Sequence, residues 1–454
     1  MDCRVVITGL GCLSPAGIGA QALADAVRRG TRAVRAPTRF DAAAYPDRAA
    51  GEVPDFDPTA GIRKDQSRYI KKNIKVMARD IQLAVAAANL AVLDCGLPLG
   101  DFKAKEPVLP TIDHTRFGII FGTNFIPTEL EDLSVPIQAA REDGRFSLKG
   151  WGKRGIPEMF PLWLLKFLPN MHACHTSVLW DAQGPNNSLT CSDAGGLLAL
   201  DECVRILKRG SADWMLAGGA ESRVNPITFV RYTLLGRMAN AGADPPAGRS
   251  PTAGEGPAVA GRPFDLGGTG EVAAEGAACL MIESMDVAEA RNARIAGEIL
   301  GTGSSTTTAG VNTCDPDGRA VATAVRAALA DAGLEPGDLG VVLAHAAGLA
   351  EHDRSEAAGL ADALGHAATT IPVISMKGVT GNMGAASGLA DLAAALIFLK
   401  EGQVPPIVNC DQPDPDVALN LVTGDPQPLA RDLILVTTNA IGGQAAAVIV
   451  KMNR

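Results

Sequence analysis

Short apolar runs alternate with helical patterns along this chain, and the alternation runs through it twice. The first series has strand patterns at 5–8, 116–124, 187–191 and 214–221, with helical patterns at 20–29, 65–95 and 194–210. The second series has strand patterns at 277–284, 339–348, 371–378, 433–438 and 445–452, with helical patterns at 320–334, 355–364 and 385–400. Strands that alternate with helices indicate a layered α/β architecture, in which helices cover the faces of a sheet.

A segment at 240–262 separates the two series. It is rich in Pro, Gly and Ala and lacks large apolar residues, which predicts a flexible loop or a boundary between halves. We therefore expect two similar halves, 1–250 and 251–454. The chain is 47% apolar but only 4% aromatic, and 50 of its 454 residues are glycine. A core of small and aliphatic side chains suits close packing of helices on sheets.

Composition argues against several classes of protein. The formal net charge of −9 disfavours a general nucleic-acid binder, whose affinity depends on neutralising phosphates. No apolar run is long enough to predict a transmembrane helix, and the start MDCRVVITGLG lacks a signal-peptide pattern. The nine cysteines form no CxxC pair, which predicts buried, reduced thiols in a cytoplasmic protein.

Two local clusters have a plain interpretation. His172, Cys174 and His175 lie together, but no second ligand pair follows at a suitable spacing, so no metal site is expected. The apolar run FPLWLLKFLPN at 160–170 is interrupted only by Lys166. It favours a subunit interface or a lid over a pocket, and a helix lying on a membrane surface is the alternative.

The segment GPNNSLTCSDAGGLLAL, 184–200, says most about chemistry. A buried strand is expected to run into a turn of small residues and then directly into a helix. This geometry places one side chain and one backbone N–H at a helix N-terminus, where negative charge is stabilised. It is the arrangement of a nucleophile elbow, although a strand–turn–helix with glycine also occurs for purely structural reasons.

Three further segments extend the pattern. LAHAAGLAEHDRSEA places His345 at a strand exit, ISMKGVTGNMGAASG places Lys377 and Asn382 on a loop from strand to helix, and NAIGGQAAAVIV places a double glycine between two strands. Together with RPFD at 262–265, EVAAEG at 271–276, ADWMLAGGAE at 212–221 and VPPIVN at 404–409, these segments resemble the β-ketoacyl-ACP synthases (ketosynthases) of the thiolase superfamily. The resemblance runs from residue 4 to about 450 in the right order and spacing.

The resemblance implies a thiolase fold, with two similar βαβαβαββ halves in a layered α-β-α-β-α arrangement, assembled as a homodimer or heterodimer. It implies acyl substrates carried on the phosphopantetheine of an acyl carrier protein, and no cofactor bound to the chain itself. In such enzymes the elbow cysteine accepts the acyl chain and two histidines assist malonyl decarboxylation. Backbone N–H groups at the elbow and at the late glycine turn form the oxyanion hole.

Asp193 occupies the position of the nucleophile, counted both from GPN and back from AGGAE. A carboxylate would form an acyl anhydride, which hydrolyses readily, and aspartate with an ordinary pKa of about 3.9 is already ionised at neutral pH. The side chain can therefore be held at the helix N-terminus without doing chemistry. Cys191 lies two residues earlier, and its use as the nucleophile would require a shift of register. Ser192 lacks an evident base.

The second half keeps part of the expected site. His345 holds the first histidine position, and Glu356, near Asp353, resembles the carboxylate that pairs with the lysine, here Lys377. These groups support catalysis or simply form a satisfied, buried polar cluster. Asn382 replaces the second histidine, as an asparagine does in the related initiating synthases.

Other positions depart further from the family pattern. Ala347 and Leu349 replace the two threonines that bind pantetheine, which leaves its amides unpaired at a cost of roughly 1 kcal/mol or more each. Ile441 replaces the gatekeeper phenylalanine before Gly442 and Gly443, which belong to the oxyanion turn. Changes at so many positions of one pocket indicate a change of role.

The runs DAGG at 193–196 and AGLAEHD at 347–353 are similar to the β-subunits of type II polyketide ketosynthases, the chain length factors, which typically carry glutamine at the elbow. We expect a non-condensing subunit of fatty-acid or type II polyketide biosynthesis that pairs with an active ketosynthase. Two alternatives stay open. One is an enzyme of altered chemistry, such as a malonyl-ACP decarboxylase that uses His345 and Asn382. The other is a condensing enzyme with Cys191 or Asp193 as nucleophile.

A local basic patch stands out in this acidic chain, and positive potential can steer an acidic carrier protein. The patch comprises Arg63, Lys64, Arg68, Lys71, Lys72 and Lys75. We predict that it docks the acyl carrier protein, with an ordinary solvated helix face as the alternative.

Overall fold

Ten strands frame the molecule, in two sets of five. The computed structural model describes residues 3–45, 49–239 and 261–454. The first set is β1 (Val5–Ser14), β2 (Phe117–Thr123), β3 (Asn186–Thr190), β4 (Trp214–Ser222) and β5 (Glu275–Ser284). The second set is β6 (Gly297–Thr306), β7 (Val341–Leu343), β8 (Pro372–Ile374), β9 (Leu433–Asn439) and β10 (Gln444–Met452).

The two sets have the same strand order. The first runs β3-β2-β4-β5-β1 and the second β8-β7-β9-β10-β6. In the first set β2 pairs in parallel with β3 and β4, whereas β4–β5 and β5–β1 are antiparallel. In the second set β7 pairs in parallel with β8 and β9, whereas β9–β10 and β10–β6 are antiparallel. The predicted duplication is therefore confirmed at the level of topology, although β5, which the sequence analysis assigned to the second series, pairs within the first set, and β6 was not predicted.

The two sets meet along one edge. Val5 to Ile7 of β1 pair antiparallel with Ile299 to Gly297 of β6, so the hydrogen-bonded ladder continues from one half into the other. Shorter two-residue strands are Gly17–Ile18, Arg141–Glu142, Arg145–Phe146, Gln403–Val404, Asn420–Leu421 and Gln427–Pro428.

Helices fill the connections between the strands. In the first half they are α1 (Ala20–Arg28), α2 (Lys64–Asn73), α3 (Arg79–Asp94), α4 (Leu130–Ala139), the single turn Leu148–Gly150, α5 (Met171–Trp180), α6 (Gly195–Lys208) and α7 (Pro226–Leu234). In the second half they are α8 (Met285–Ala290), α9 (Arg319–Ala332), α10 (Ala350–Leu364), α11 (Lys377–Thr380) and α12 (Ser387–Phe398). Gly333 follows the last residue of α9, and its φ of 62° suits the left-handed conformation common at that position.

Two helices form the middle layer between the halves. The helix α6 contacts β2 and β4 of the first set and β6 and β10 of the second, and α12 contacts β1 and β5 as well as β9. The helix α12 is almost entirely buried and α6 mostly so, because alanine, glycine and leucine dominate their sequences. A Cβ at Gly196 would collide with the carbonyl of Ala385, so glycine permits this close approach.

The outer layers complete the arrangement. The helix α3 packs on β1, β4 and β5, and α5 contacts α3 and β2. On the other side α9 packs on β6 and β10 and contacts α10. One apolar cluster extends from Val5 through Leu200 and Leu392 to Ile449, so both halves share this core around the middle helices.

Two predicted boundaries were wrong. The helix expected at 65–95 is broken: α2 ends in a 3₁₀ turn at Ile74–Val76, Met77 and Ala78 are extended, and α3 then begins. The lysine-rich part stays at the surface while the alanine-rich part enters the core. The first strand, expected to end at residue 8, continues as β1 through the glycine-rich stretch to Ser14. Its glycines permit close packing, because a Cβ at Gly9 or Gly11 would collide with the backbone of α3.

Other expectations fall in less regular parts. The apolar run at 160–170 forms a 3₁₀ helix, Trp163–Phe167, with Leu162 and Leu164 about half exposed. The segment at 240–262 lies outside the described residues except for its last two positions. No helix of the described residues has the length and apolar character needed to cross a membrane.

Candidate active site

A tight turn between β3 and α6 forms the predicted elbow. Ser192 has a φ of 49°, which lies in the left-handed region that non-glycine residues adopt rarely and at a cost. A single 3₁₀ turn, Ser192–Ala194, then leads directly into α6. A Cβ at Gly122 would collide with the backbone of Gly195, so β2 can lie this close to the turn only because residue 122 is glycine. Asp193 is thereby placed at the N-terminal end of the middle helix and is only 2% exposed.

The Asp193 carboxylate is held by an ion pair. Its Oδ2 accepts hydrogen bonds from Arg223 Nη2 and from Ser192 Oγ, each at 2.9 Å. His345 Nε2 lies 3.8 Å from the other oxygen, Oδ1, which accepts no hydrogen bond from the described residues. Burial alone would raise the pKa of Asp193, but the charges and the hydrogen bond around it, first of all those of Arg223, together outweigh burial and hold the pKa well below its usual range. The residue is therefore a fixed anion.

Arg223, which follows the end of β4, is the counter-ion, and the sequence analysis missed it. The side chain is 1% exposed, and its guanidinium lies 5.3 Å from the centre of the Tyr232 ring. Besides Asp193, it binds both carboxylate oxygens of Glu221, at 2.7 Å from Nε and 3.1 Å from Nη2. Its Nη1 lies 3.6 Å from Glu271. The only signal in the sequence is an arginine two residues after the AGGAE strand end, where such a residue is ordinarily solvated.

A second buried arginine completes the cluster. Arg237 Nε binds Glu271 at 2.5 Å, and Glu271 also accepts a hydrogen bond from Asn382 Nδ2 at 2.5 Å. Around the elbow, the buried charged groups are the three carboxylates of Asp193, Glu221 and Glu271 and the two guanidiniums of Arg223 and Arg237. We call these five side chains the elbow cluster. Buried charges in proteins are stable only when they are paired in this way.

His345 lies beside the cluster in a neutral form. Its backbone N–H donates to Glu356 Oε1 at 2.8 Å, and its Nδ1 has no hydrogen-bond partner among the described residues. Burial lowers the pKa of His345 to about 3, although the charge of Asp193 opposes the shift. The imidazole is therefore uncharged at neutral pH, and it could donate or accept one hydrogen bond at Nε2.

The expected pair of Lys377 with Glu356 was wrong. Lys377 Nζ instead binds Asp391 of α12, at 2.5 Å. The Glu356 carboxylate is already occupied, because it accepts hydrogen bonds from the backbone of His345 and Ala346 and from Thr437 Oγ1. Glu356 therefore fixes the loop after β7, and Lys377 pairs with Asp391 of α12 instead.

Asn382 and the late glycine turn have separate structural roles. Asn382 Oδ1 accepts hydrogen bonds from Gly384 N at 3.0 Å and from Ser387 Oγ at 3.3 Å, so both ends of its amide are bound. The turn of Ile441, Gly442 and Gly443 joins β9 to β10. Gly443 has a φ of 85°, and its carbonyl accepts from Thr307 N at 2.9 Å.

The residues of the basic patch differ in their environments. Lys64, Arg68, Lys71 and Lys72 are exposed on α2. Arg63 is not free, because its guanidinium binds Asp65 and the carbonyls of Gly100, Glu106 and Pro107. In the described residues no group of three or more His, Cys, Asp or Glu side chains converges as metal ligands would.

The duplicated sheet, the middle helix layer and the elbow define a protein of the thiolase fold. Family models match most of the chain: the Beta-ketoacyl synthase N-terminal domain at 2–288 and the C-terminal domain at 296–411. The chain belongs to the β-ketoacyl synthase family.

Individual relatives match over nearly their whole length. The chain is 29% identical over 440 residues to 3-oxoacyl-[acyl-carrier-protein] synthase 2 of Synechocystis sp., covering 97% of this chain and 96% of that protein. It is 30% identical over 448 residues to the protein of that name from Staphylococcus aureus strain N315, covering 99% and 98%. Two solved structures are each 25% identical with full coverage of both chains: the ishigamide ketosynthase/chain length factor, with a TM-score of 0.80, and a β-ketoacyl synthase from Burkholderia phymatum STM815, with a TM-score of 0.81.

Proposed function

We propose that this chain is a non-condensing subunit of fatty-acid or type II polyketide biosynthesis, which pairs with an active β-ketoacyl-ACP synthase as a chain-length-factor-like partner. The observation that carries the proposal is the Asp193–Arg223 ion pair at the nucleophile position. A carboxylate bound to a guanidinium is a poor nucleophile, because its charge is already stabilised in the resting state. Any acyl anhydride that formed would also be open to hydrolysis.

The edge of the first sheet supports the expected dimer. The strand β3 pairs with β2 on one side, and its residues are partly exposed or exposed, although the sequence predicted a buried strand. A strand edge with free backbone groups is a ready template for pairing with another chain. Large apolar side chains of the same half are also about half exposed, namely Phe125, Leu162, Leu164 and Val178. Together they make a surface that a partner subunit would cover.

Carrier-protein docking belongs to the same proposal. The exposed cations of α2 offer a positive surface to an acidic carrier, whose phosphopantetheine arm would deliver the acyl group; the chain itself would hold no cofactor. The double variant Lys71→Glu/Lys72→Glu should weaken carrier binding at least about tenfold at low salt, because two attractions become repulsions. Lys451→Glu, in the second half and also exposed, is the matched control. Equal carrier affinity in the double variant and the control would remove this docking surface.

The test of the function is assembly and product formation with a partner. The chain alone should release no condensation product from malonyl- and acyl-carrier protein, and should form a heterodimer when co-expressed with an active ketosynthase. The heterodimer should then set the product length. Condensation by this chain alone would overturn the proposal.

The decarboxylase alternative has one supporting observation, the position of His345 beside the elbow. The anionic Asp193 opposes it, because it would repel the malonyl carboxylate in the same pocket. Release of carbon dioxide from malonyl-carrier protein that disappears in His345→Ala would favour the decarboxylase over the subunit role.

A further inference from the structure

Arg223 reaches the elbow through the interior of the protein. From the residue after β4 it extends to Asp193 on one side and to Glu271 on the other. The guanidinium is therefore not a surface counter-ion that could move into solvent, and it occupies space directly beside the position where a ketosynthase nucleophile would accept an acyl chain.

The opposite wall is shaped to accept the cluster. A Cβ at Gly384 would collide with the Glu221 carboxylate and would lie 2.8 Å from Arg223 Nε. Gly384 also has a φ of 59°. In addition, Ala385 N donates to Glu221 Oε2 at 3.0 Å. The loop after Asn382 thus closes over the ion pairs, and the cluster is built into the contact between the two halves.

The balance of charge explains why the cluster stays closed. With Arg223 in place, three buried carboxylates face two guanidiniums. Movement of Arg223 away from the elbow would leave Asp193 and Glu221 buried without their main counter-ion, which is far more costly than leaving a neutral group unpaired. The closed arrangement is therefore strongly preferred at rest.

We propose that Arg223 is the residue that closes the elbow at Asp193 to acyl groups, so that the loss of condensing activity rests on two residues, Asp193 and Arg223, and a thiol at position 193 alone would not restore an accessible nucleophile. The inference rests on the proposed non-condensing role and adds the structural reason for it. Arg223 is a positioning residue, since it acts by holding Asp193 and by filling the space beside it.

The test compares the thiol reactivity of two variants, D193C and D193C/R223A, both carrying Cys191→Ser so that only one thiol lies at the elbow. Iodoacetamide modification at position 193 is followed by peptide mass spectrometry, at a pH where the rate of every variant has reached its plateau, so that the thiol is fully ionised and the rates report access alone. The rate should be at least about tenfold higher in D193C/R223A than in D193C. A tenfold difference corresponds to a free energy of about 1.4 kcal/mol for opening the elbow to the reagent. D193C/R205A is the control, because Arg205 is exposed on α6 and its one ion pair within the described residues is with Asp201. Its rate should equal that of D193C.

A second readout separates closure from general loosening of the fold. A guanidinium beside a thiol lowers the thiol pKa. The pH–rate profile of D193C should therefore lie at lower pH than that of D193C/R223A, and D193C/R223K should keep the lower position. If D193C/R223A does not fold, D193C/R223Q carries the same comparison.

The outcomes are distinct. Equal alkylation rates and equal pH profiles in D193C and D193C/R223A would overturn the role of Arg223 while leaving the non-condensing function intact. Acyl transfer from acyl-carrier protein to the unaltered chain would overturn the non-condensing function itself. A faster rate and a shifted profile in D193C/R223A support the proposal.

Discussion

Removal of Arg223 should destabilise the protein more than neutralisation of Asp193. Asp193→Asn leaves two carboxylates, Glu221 and Glu271, against two guanidiniums, so the elbow cluster becomes balanced. Arg223→Ala leaves three carboxylates with Arg237 alone. Breaking a buried ion pair in this way costs about 3–5 kcal/mol, whereas loss of a charged hydrogen bond in Asp193→Asn costs about 1.5–3 kcal/mol.

The free-energy cost of Arg223→Ala can be converted to a decrease in the melting temperature, Tm. At about 2.1 cal/mol/K of unfolding entropy per residue, 454 residues give about 1 kcal/mol/K. Arg223→Ala should therefore lower Tm by about 3–5 °C. One shared core joins both halves, so a single transition is expected by circular dichroism. Arg205→Ala, which removes an exposed ion pair, should change Tm by no more than about 1 °C. The charge argument would be refuted if Arg223→Ala had the same Tm as this control, or if Asp193→Asn lowered Tm by as much as Arg223→Ala.

Three further outcomes follow from the same geometry. Gly384→Ala should destabilise the protein by at least about 1–3 kcal/mol, because it forces a positive φ on alanine and its Cβ would collide with Glu221. Gly337→Ala is the control, because a Cβ there meets open space and should leave the stability unchanged. Chemical denaturation of both variants measures the difference. Burial holds the pKa of His345 at about 3, below the unfolded value of about 6.5, so the unfolded chain binds the extra proton between these pH values and stability falls as pH drops through that window. Between pH 7 and pH 5 the free energy of unfolding should therefore fall by up to about 2 kcal/mol because of His345, and His345→Asn should remove that part of the fall. Chemical unfolding at pH 5 and at pH 7 measures it, and an unchanged pH dependence in the variant would contradict the assignment. His345→Ala should leave carbon dioxide release from malonyl-carrier protein at the background that the unaltered chain already shows.

Local patterns were sufficient for most of the fold. Alternating apolar runs and alanine-rich helical patterns are properties of short segments, and nine of the ten strands and both middle helices lie at segments that predicted them, whereas β6 (Gly297–Thr306) was missed. The glycines of β1 were misread because a glycine-rich stretch looks the same in a turn and in a strand pressed against a helix. Only the position of α3, more than 60 residues later, distinguishes the two cases.

The elbow could be predicted, but its partners could not. A strand, a small-residue turn and a helix are adjacent in sequence, which places Asp193 directly. Arg223 reaches it from another strand end, and Glu271 from beyond the segment at 240–262, so no local spacing joins the three. The pairing of Lys377 failed for the same reason, since Asp391 comes close only when α12 is packed.

Intact mass measurement of the assembled subunits tests the central claim most directly. The heterodimer with an active ketosynthase is incubated with acyl-carrier protein, and the mass of each subunit is read after separation. The Asp193–Arg223 pair predicts that the acyl group appears on the partner ketosynthase and that the mass of this chain is unchanged. A stable acyl adduct on this chain, mapped to Asp193 or Cys191, would contradict the account.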